Sequence, residues 1–183
     1  MTKFQNTHTA IIENAMKLFR QHGYSSTSVG SIAKATGITE MTFYRHFPNK
    51  EAILLDDPFD PIIAEYILRQ PPEKRALSAT VAGFRAAWRE AEASVEDSLK
   101  TCLGIIAATP ELKRASLDST GETVEAIKTT LVARGSSEIE ATTVASAILS
   151  ALSSALLLWA ASDTLEINTV INDTLDALEA SNE

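Results

Sequence analysis

Within residues 27–51, TSVGSIAKATGITEMTFYRHFPNKE, the chain gathers side chains suited to a polyanion with an edge pattern to read. Lys50, Tyr44 and His46 offer donors or charge to phosphate oxygens, as do backbone N–H groups at a helix start near Thr27 and Ser28. Glu40, Met41, Thr42 and Arg45 suit base edges. An arginine can pair with guanine O6 and N7, a carboxylate can accept from cytosine N4, and a methyl can touch thymine.

The spacing supplies elements to hold these groups. Thr27 is positioned to cap a helix over about residues 28–35, with Val29, Ile32 and Ala33 on its buried face. Gly37 falls where that helix must stop in a left-handed conformation, and Ile38 fills the corner. Thr39 then caps a second helix over about residues 40–47, whose Phe43 and Phe47 at i and i+4 face inward. Pro48 ends it, and Asn49 caps a further helix starting at Lys50. A lysine at a helix N-terminus opposes the macrodipole, which makes sense if an anion is shared with the free amides. Two crossed helices with a polar, partly basic second helix form the layout that enters a DNA major groove. Blander readings stand beside it: Tyr44 covers the apolar seam, and Glu40 is an ordinary surface charge.

The segment resembles the DNA-binding domain of the TetR family of transcriptional regulators. The likeness is carried over residues 9–55 by Ala15, Leu18 and Phe19, then Gly23-Tyr24, Thr27, Ile32-Ala33, Gly37-Ile38, Thr42-Phe43-Tyr44, His46-Phe47 and Asn49-Lys50-Glu51. The resemblance implies backbone contacts at or beside Thr27, Tyr44, His46 and Lys50. Met41 departs from it, because a small residue is common there. The basic tail that often precedes the first helix is reduced to Lys3.

The net charge of −8 is unevenly spread. Residues 1–57 hold six Lys/Arg against five Asp/Glu, whereas residues 58–183 hold ten against nineteen, so the acidity lies outside the motif and can face away from DNA. Cys102, the single cysteine, forms no internal disulfide and fits a reducing cytoplasm. The N-terminus lacks a signal-peptide core, and the apolar stretch near residues 147–161 is short for a membrane span and carries Ser150, Ser153 and Ser154. No membrane partner is expected.

The fold expected is all-α with about nine to ten helices. Residues 1–55 form a three-helix DNA-binding domain with the helix-turn-helix, and residues 56–183 a helical effector-binding and dimerisation domain. The first helix spans about residues 9–22. Pro58 and Pro61 break the fourth, with a separate helix over about residues 61–69. Further helices are expected over about 73–91, over a stretch ending near 108 and opened by the capping pattern Ser94-x-x-Asp97, over 110–135, over a stretch ending near 161 and opened by Ser137-x-x-Glu140, and over 168–180.

The helix ending near residue 161 is apolar nearly all round, with Ala147, Ala151, Ser154, Leu158 and Ala161 on one stripe and Ile148, Leu152, Leu156 and Trp159 on another. Such a helix needs cover on several sides. A second copy supplies it, and the resemblance implies a four-helix interface that would add Ile171, Leu175 and Leu178. A homodimer places two reading helices ~34 Å apart on a palindromic operator in double-stranded DNA. The family likeness also implies a small-molecule pocket, for which Phe84, Trp88, Leu103, Ile106, Leu117 and Trp159 are candidates, with Arg85, Arg89 and Lys100 available to an anionic head group. Core packing is the alternative for each. A fainter likeness to a branch containing mycofactocin-associated regulators suggests an acyl-CoA or other fatty effector.

No cofactor and no metal is expected. His8, His22 and His46 are scattered, no Cys or carboxylate cluster has ligand spacing, and no phosphate-cradling glycine loop or nucleophile elbow occurs, which speaks against an enzyme. The competing class is a regulator or adaptor of the same fold controlled by a protein partner.

Overall fold

Nine α-helices and no strand are formed among the described residues. The computed structural model describes residues 2–55 and 60–180, excluding the side chains of residues 60, 61, 91–95, 98 and 117–120. The chain divides into two compact units, Met1–Asp56 and Asp57–Glu183.

In the first unit, α1 (Lys3–His22) begins two turns earlier than its apolar spacing predicts. The cause is a capping box: Gln5 N–H donates to Thr2 Oγ1 (3.3 Å) and Thr2 N–H donates to Gln5 Oε1 (2.7 Å). Gly37, at φ 74°, stops α2 (Val29–Thr36). The amides of Gly37 and Ile38 donate back to Lys34 and Ala33 carbonyls at 3.2 and 3.0 Å, the two bonds of a Schellman motif. Thr39 caps α3 (Glu40–Tyr44). That helix ends three residues before the predicted boundary, because the Arg45 and His46 amides donate to residues i−3, Thr42 (3.3 Å) and Phe43 (2.9 Å), tightening the turn ahead of Pro48. Asn49 Oδ1 accepts from Ala52 N–H (2.8 Å) as a cap, although regular helix in α4 (Ala52–Leu55) starts at Ala52 and not at Lys50. Ile11, Ala15, Phe19, Ile32, Ala33, Phe43 and Phe47 form the buried interior of the unit.

In the second unit, α5 (Asp60–Leu68) closely matches the predicted separate helix, whereas the predicted break at Pro58 falls outside the described residues. The two helices expected over 73–108 are one, α6 (Ala76–Ala108), 33 residues long. Ser94-x-x-Asp97 therefore lies inside a helix and is not its start. Neither glycine nor proline occurs from residue 84 to 103, so a local capping pattern has nothing to interrupt. α7 (Pro110–Ala133) takes Pro110 in its first turn. α8 (Glu138–Ala160) is capped by Ser137, which accepts from Glu140 N–H (3.2 Å). α9 (Ile167–Ala180) closes the unit.

α8 packs against α6, α7 and α9, and α5 against α6 and α7. By length and composition α8 could cross a membrane, but its Ile148, Leu152 and Trp159 side is sealed inside this unit. At the α5–α6 crossing Gly83 admits the other backbone: a Cβ there would stand 2.9 Å from the Ile67 nitrogen. Arg134 ties the end of α5 to the end of α7. Its guanidinium donates to the carbonyls of Gln70 (2.8 Å), Pro71 (2.7 Å) and Ile67 (3.2 Å), a cation placed where a helix C-terminus is negative.

Candidate nucleic-acid interface

Ser28, not Thr27, caps α2. Ser28 Oγ accepts from Ser31 N–H and Ser31 Oγ from Ser28 N–H, both at 3.1 Å. Thr27 is buried at 3% exposure and its hydroxyl donates to the Gly23 carbonyl (2.9 Å), so its side chain is a loop fastener. A buried hydroxyl already spent on a carbonyl cannot also serve as a cap, which explains the shift by one residue.

Lys50 does not hang free. Its Nζ donates to the carbonyls of Tyr24 (2.9 Å) and Thr27 (3.0 Å) and lies 4.2 Å above the Tyr24 ring. The Tyr24 hydroxyl in turn donates to Glu51 Oε1 (2.8 Å), and burial, with that carboxylate, pushes its phenol well above the usual range. Lys50 thereby fixes the loop that leads into α2, with two of its three donors spent on those carbonyls. It also borders a groove of about 420 Å³ lined by Ser25–Val29, Tyr44 and Pro48–Glu51.

On α3 the two inward phenylalanines hold the helix down, Phe43 at 0% and Phe47 at 2% exposure. Met41, at 77%, and Tyr44, at 53%, stand out, and Glu40 and Arg45 are exposed beside them. The Thr39 and Thr42 hydroxyls lie 3.0 Å apart, and Thr39 Oγ1 accepts from Thr42 N–H (3.1 Å). Glu40 leans back over α2: a Cβ on Gly30 would meet its Oε1 at 2.7 Å. There its charge sits near the positive end of a helix.

His46 is turned inward. Its ring stacks on Phe4 (4.1 Å between centroids), and its Nδ1 is buried with no hydrogen-bond partner among the described residues. Burial, then the neighbouring charges of His8 and Arg45, holds its pKa below the usual 6.5. The sequence reading missed Phe4 and His8, which stack on this end of α3. The pattern Thr2-x-x-Gln5, a capping box, carried the signal, since it moves the helix start and adds both to the Ile11, Ala15 stripe.

In the second unit the predicted stripes separate. Ala147, Ser154, Leu158 and Ala161 are exposed and Ala151 half-buried, with Leu158 at 68%. Ile171 and Leu175, expected at the dimer face, are instead buried in their own chain's core at 6% and 0%, with Leu178 packed on the same cluster. The single apolar face of α9 is used up on α6 and α8. Of the effector candidates, Phe84, Trp88, Leu103 and Trp159 share one cluster with Val81, Ile148 and Leu152. Trp88 Nε1 donates to Asn168 Oδ1 (2.6 Å), Ile106 is buried, and the side chain of Leu117 lies outside those described. Arg85 is paired with Asp176 and, at 3.6 Å, Glu179, while Lys100 Nζ lies 5.6 Å over the Trp159 ring. A groove of about 360 Å³ bordered by Arg75, Leu77, Glu140, Thr143, Val144, Ala147 and Leu178 includes none of the six candidates.

A capped helix, a glycine-stopped turn and a second helix with an outward polar row define a helix-turn-helix DNA-binding domain. Residues 11–56 match the family model of the bacterial regulatory proteins of the tetR family, so this N-terminal segment is similar to the DNA-binding domain of that family. It is 36% identical over 81 residues to the transcriptional repressor ComR of Escherichia coli, and 60% over 45 residues to the regulator YuxN of Bacillus subtilis. These matches cover 43% and 25% of this chain but only 39% and 16% of those relatives. The fold extends further. The TetR-family repressor FadR of Thermus thermophilus, solved in complex with lauroyl-CoA, superposes with a TM-score of 0.56 at 21% identity, over 93% of this chain and 92% of that one.

Proposed function

We propose that the chain is a transcriptional repressor that binds a palindromic operator as a homodimer and is released by a small apolar or acyl-type ligand. The observation that carries the DNA side is the exposed row on α3, Met41, Tyr44 and Arg45, beside the Lys50 groove on a helix pinned by Phe43 and Phe47. On this reading Tyr44, Lys50 and the amides at Ser28 hold phosphates, with Thr27 acting through its backbone. Arg45 and Met41 face base edges, and Glu40 excludes sequences by repulsion. Thr39 fixes the register of α3, and Thr42 completes the reading set. His46, packed as a neutral ring, supports the helix and is not a cationic phosphate contact.

The second copy docks along Ala147, Ala151, Ser154, Leu158 and Ala161. The lauroyl-CoA held by FadR favours an acyl effector, and the cluster around Phe84, Trp88, Leu103 and Trp159 is the apolar volume that would open to receive it. A ligand acts by its differential affinity for the operator-competent and incompetent dimers.

The test is selection of a duplex from a random library by the full chain, followed by titration with lauroyl-CoA. A palindromic selected sequence, bound with strong salt dependence and weakened by lauroyl-CoA, is expected. No selected sequence sinks the operator reading, and unchanged affinity at saturating lauroyl-CoA sinks the acyl effector.

A further inference from the structure

We propose that Phe4 and His8, on the first turns of α1, are positioning residues that hold the C-terminal end of the recognition helix through His46 and Phe47. The inference rests on the operator reading above and names residues outside the helix-turn-helix itself.

α3 has only five residues and no glycine cap, so it cannot keep its own direction. Its exit is gripped by rings instead. Phe4 stacks on His46 at 4.1 Å with planes 25° apart, and His8 stacks on Phe47 at 4.4 Å and 25°. Phe47 then meets Phe43 at 5.9 Å, and Phe43 meets Tyr44 edge-on at 5.6 Å. The line of rings runs from the first turn of α1 to a side chain of the proposed reading face. Phe4 and His8 are i and i+4, and Ile11 and Ala15 continue their stripe into the core, so both rings stand on the side of α1 that leads into the core. The Thr2–Gln5 box is what makes this turn helical at all.

Stacked rings restrain both distance and tilt, because aromatic pairs favour offset or edge-on arrangements over a face-to-face sandwich. Arg45 lies between Phe43 and Phe47, separated from each by one residue, and directly precedes His46. Loosening the grip lets the Arg45 guanidinium swing, which removes base discrimination and leaves charge attraction intact.

The experiment compares the full chain with Phe4→Ala, Phe4→Trp and His8→Ala, on the duplex the parent selects and on an unselected duplex. Phe4→Ala is expected to weaken the selected duplex about tenfold, the scale of a lost aromatic pair, and to leave the unselected one unchanged. Phe4→Trp restores the stack and the affinity. His8→Ala shifts affinity in the same direction as Phe4→Ala. Since Phe4 is 57% exposed, its heat-unfolding midpoint stays near that of the parent. Parental affinity of Phe4→Ala for the selected duplex overturns the inference, as does an equal loss on both duplexes that Phe4→Trp fails to recover. A parent that selects nothing overturns the operator reading and this inference with it.

Discussion

Lys50 and Tyr24 meet twice: the ammonium donates to the Tyr24 carbonyl at 2.9 Å and lies 4.2 Å above the Tyr24 ring. The contact joins residues 26 apart and closes the α1–α2 loop over the start of α4. The lysine proposed to hold a phosphate is thus also a structural fastener of its own domain.

Replacing Lys50 by methionine keeps the stem and removes the donors. Hydrogen bonds to charged groups are worth ~1.5–3 kcal/mol, so a half-buried pair of them predicts a loss of about 2 kcal/mol in the stability of the N-terminal domain. Denaturant unfolding followed by Tyr fluorescence measures it. Weakened DNA binding with unchanged stability would assign Lys50 to phosphate alone.

The His46 ring gives a pH dependence with a definite sign. Its pKa lies below the usual 6.5, so the folded chain binds fewer protons than the unfolded one between the folded value and 6.5. Stability is full above that window and falls as the pH drops through it. The unfolding midpoint of the parent should therefore drop more between about pH 7.5 and about pH 5.5 than that of His46→Phe, which keeps a ring and cannot titrate. Equal drops would place the titration elsewhere.

Gly83→Ala should lower the unfolding midpoint. Alanine favours a helix by about 1 kcal/mol over glycine. Yet the added carbon meets Ile67 backbone at 2.9 Å and Ile67 Cγ1 at 2.6 Å, and overpacking against backbone costs ~1–3 kcal/mol. A raised midpoint would mean that α5 moves aside freely.

Leu158→Glu should turn a dimer into a monomer in light scattering at micromolar concentration, because a carboxylate on an exposed apolar stripe opposes burial. Ile171→Ala should act differently. It opens a cavity in the chain's own core at a cost of ~2–5 kcal/mol and changes association only through stability. If Leu158→Glu remains dimeric, the partner sits elsewhere.

Local signals in the sequence were reliable where the physics was local. Gly37 stops α2, Thr39 caps α3, Ser137 caps α8, and Phe43 and Phe47 are core, each decided by neighbours within a turn or two. The misplacements have a common cause. Ser94-x-x-Asp97 has the residues of a cap without a break for it to follow, so α6 runs through. Ile171 and Leu175 are equally apolar whether they face their own chain or a second copy, and only the packing of α6, α8 and α9 decides between the two. The carbonyl partners of Lys50 lie on a loop 23 and 26 residues away, beyond any periodicity.

The paired hydroxyls of Thr39 and Thr42 carry a consequence for the language of the operator. The 3.0 Å contact takes up one of the hydrogen-bonding sites of the Thr42 hydroxyl, so a base edge would meet a group already oriented by Thr39. On the proposed reading that position has fewer sites to offer in the donor–acceptor code. If α3 reads DNA as proposed, the most distinctive groups of the site are a guanidinium and a thioether, a donor for guanine and an oily surface for a thymine methyl, and the spelling of the operator should favour those two letters.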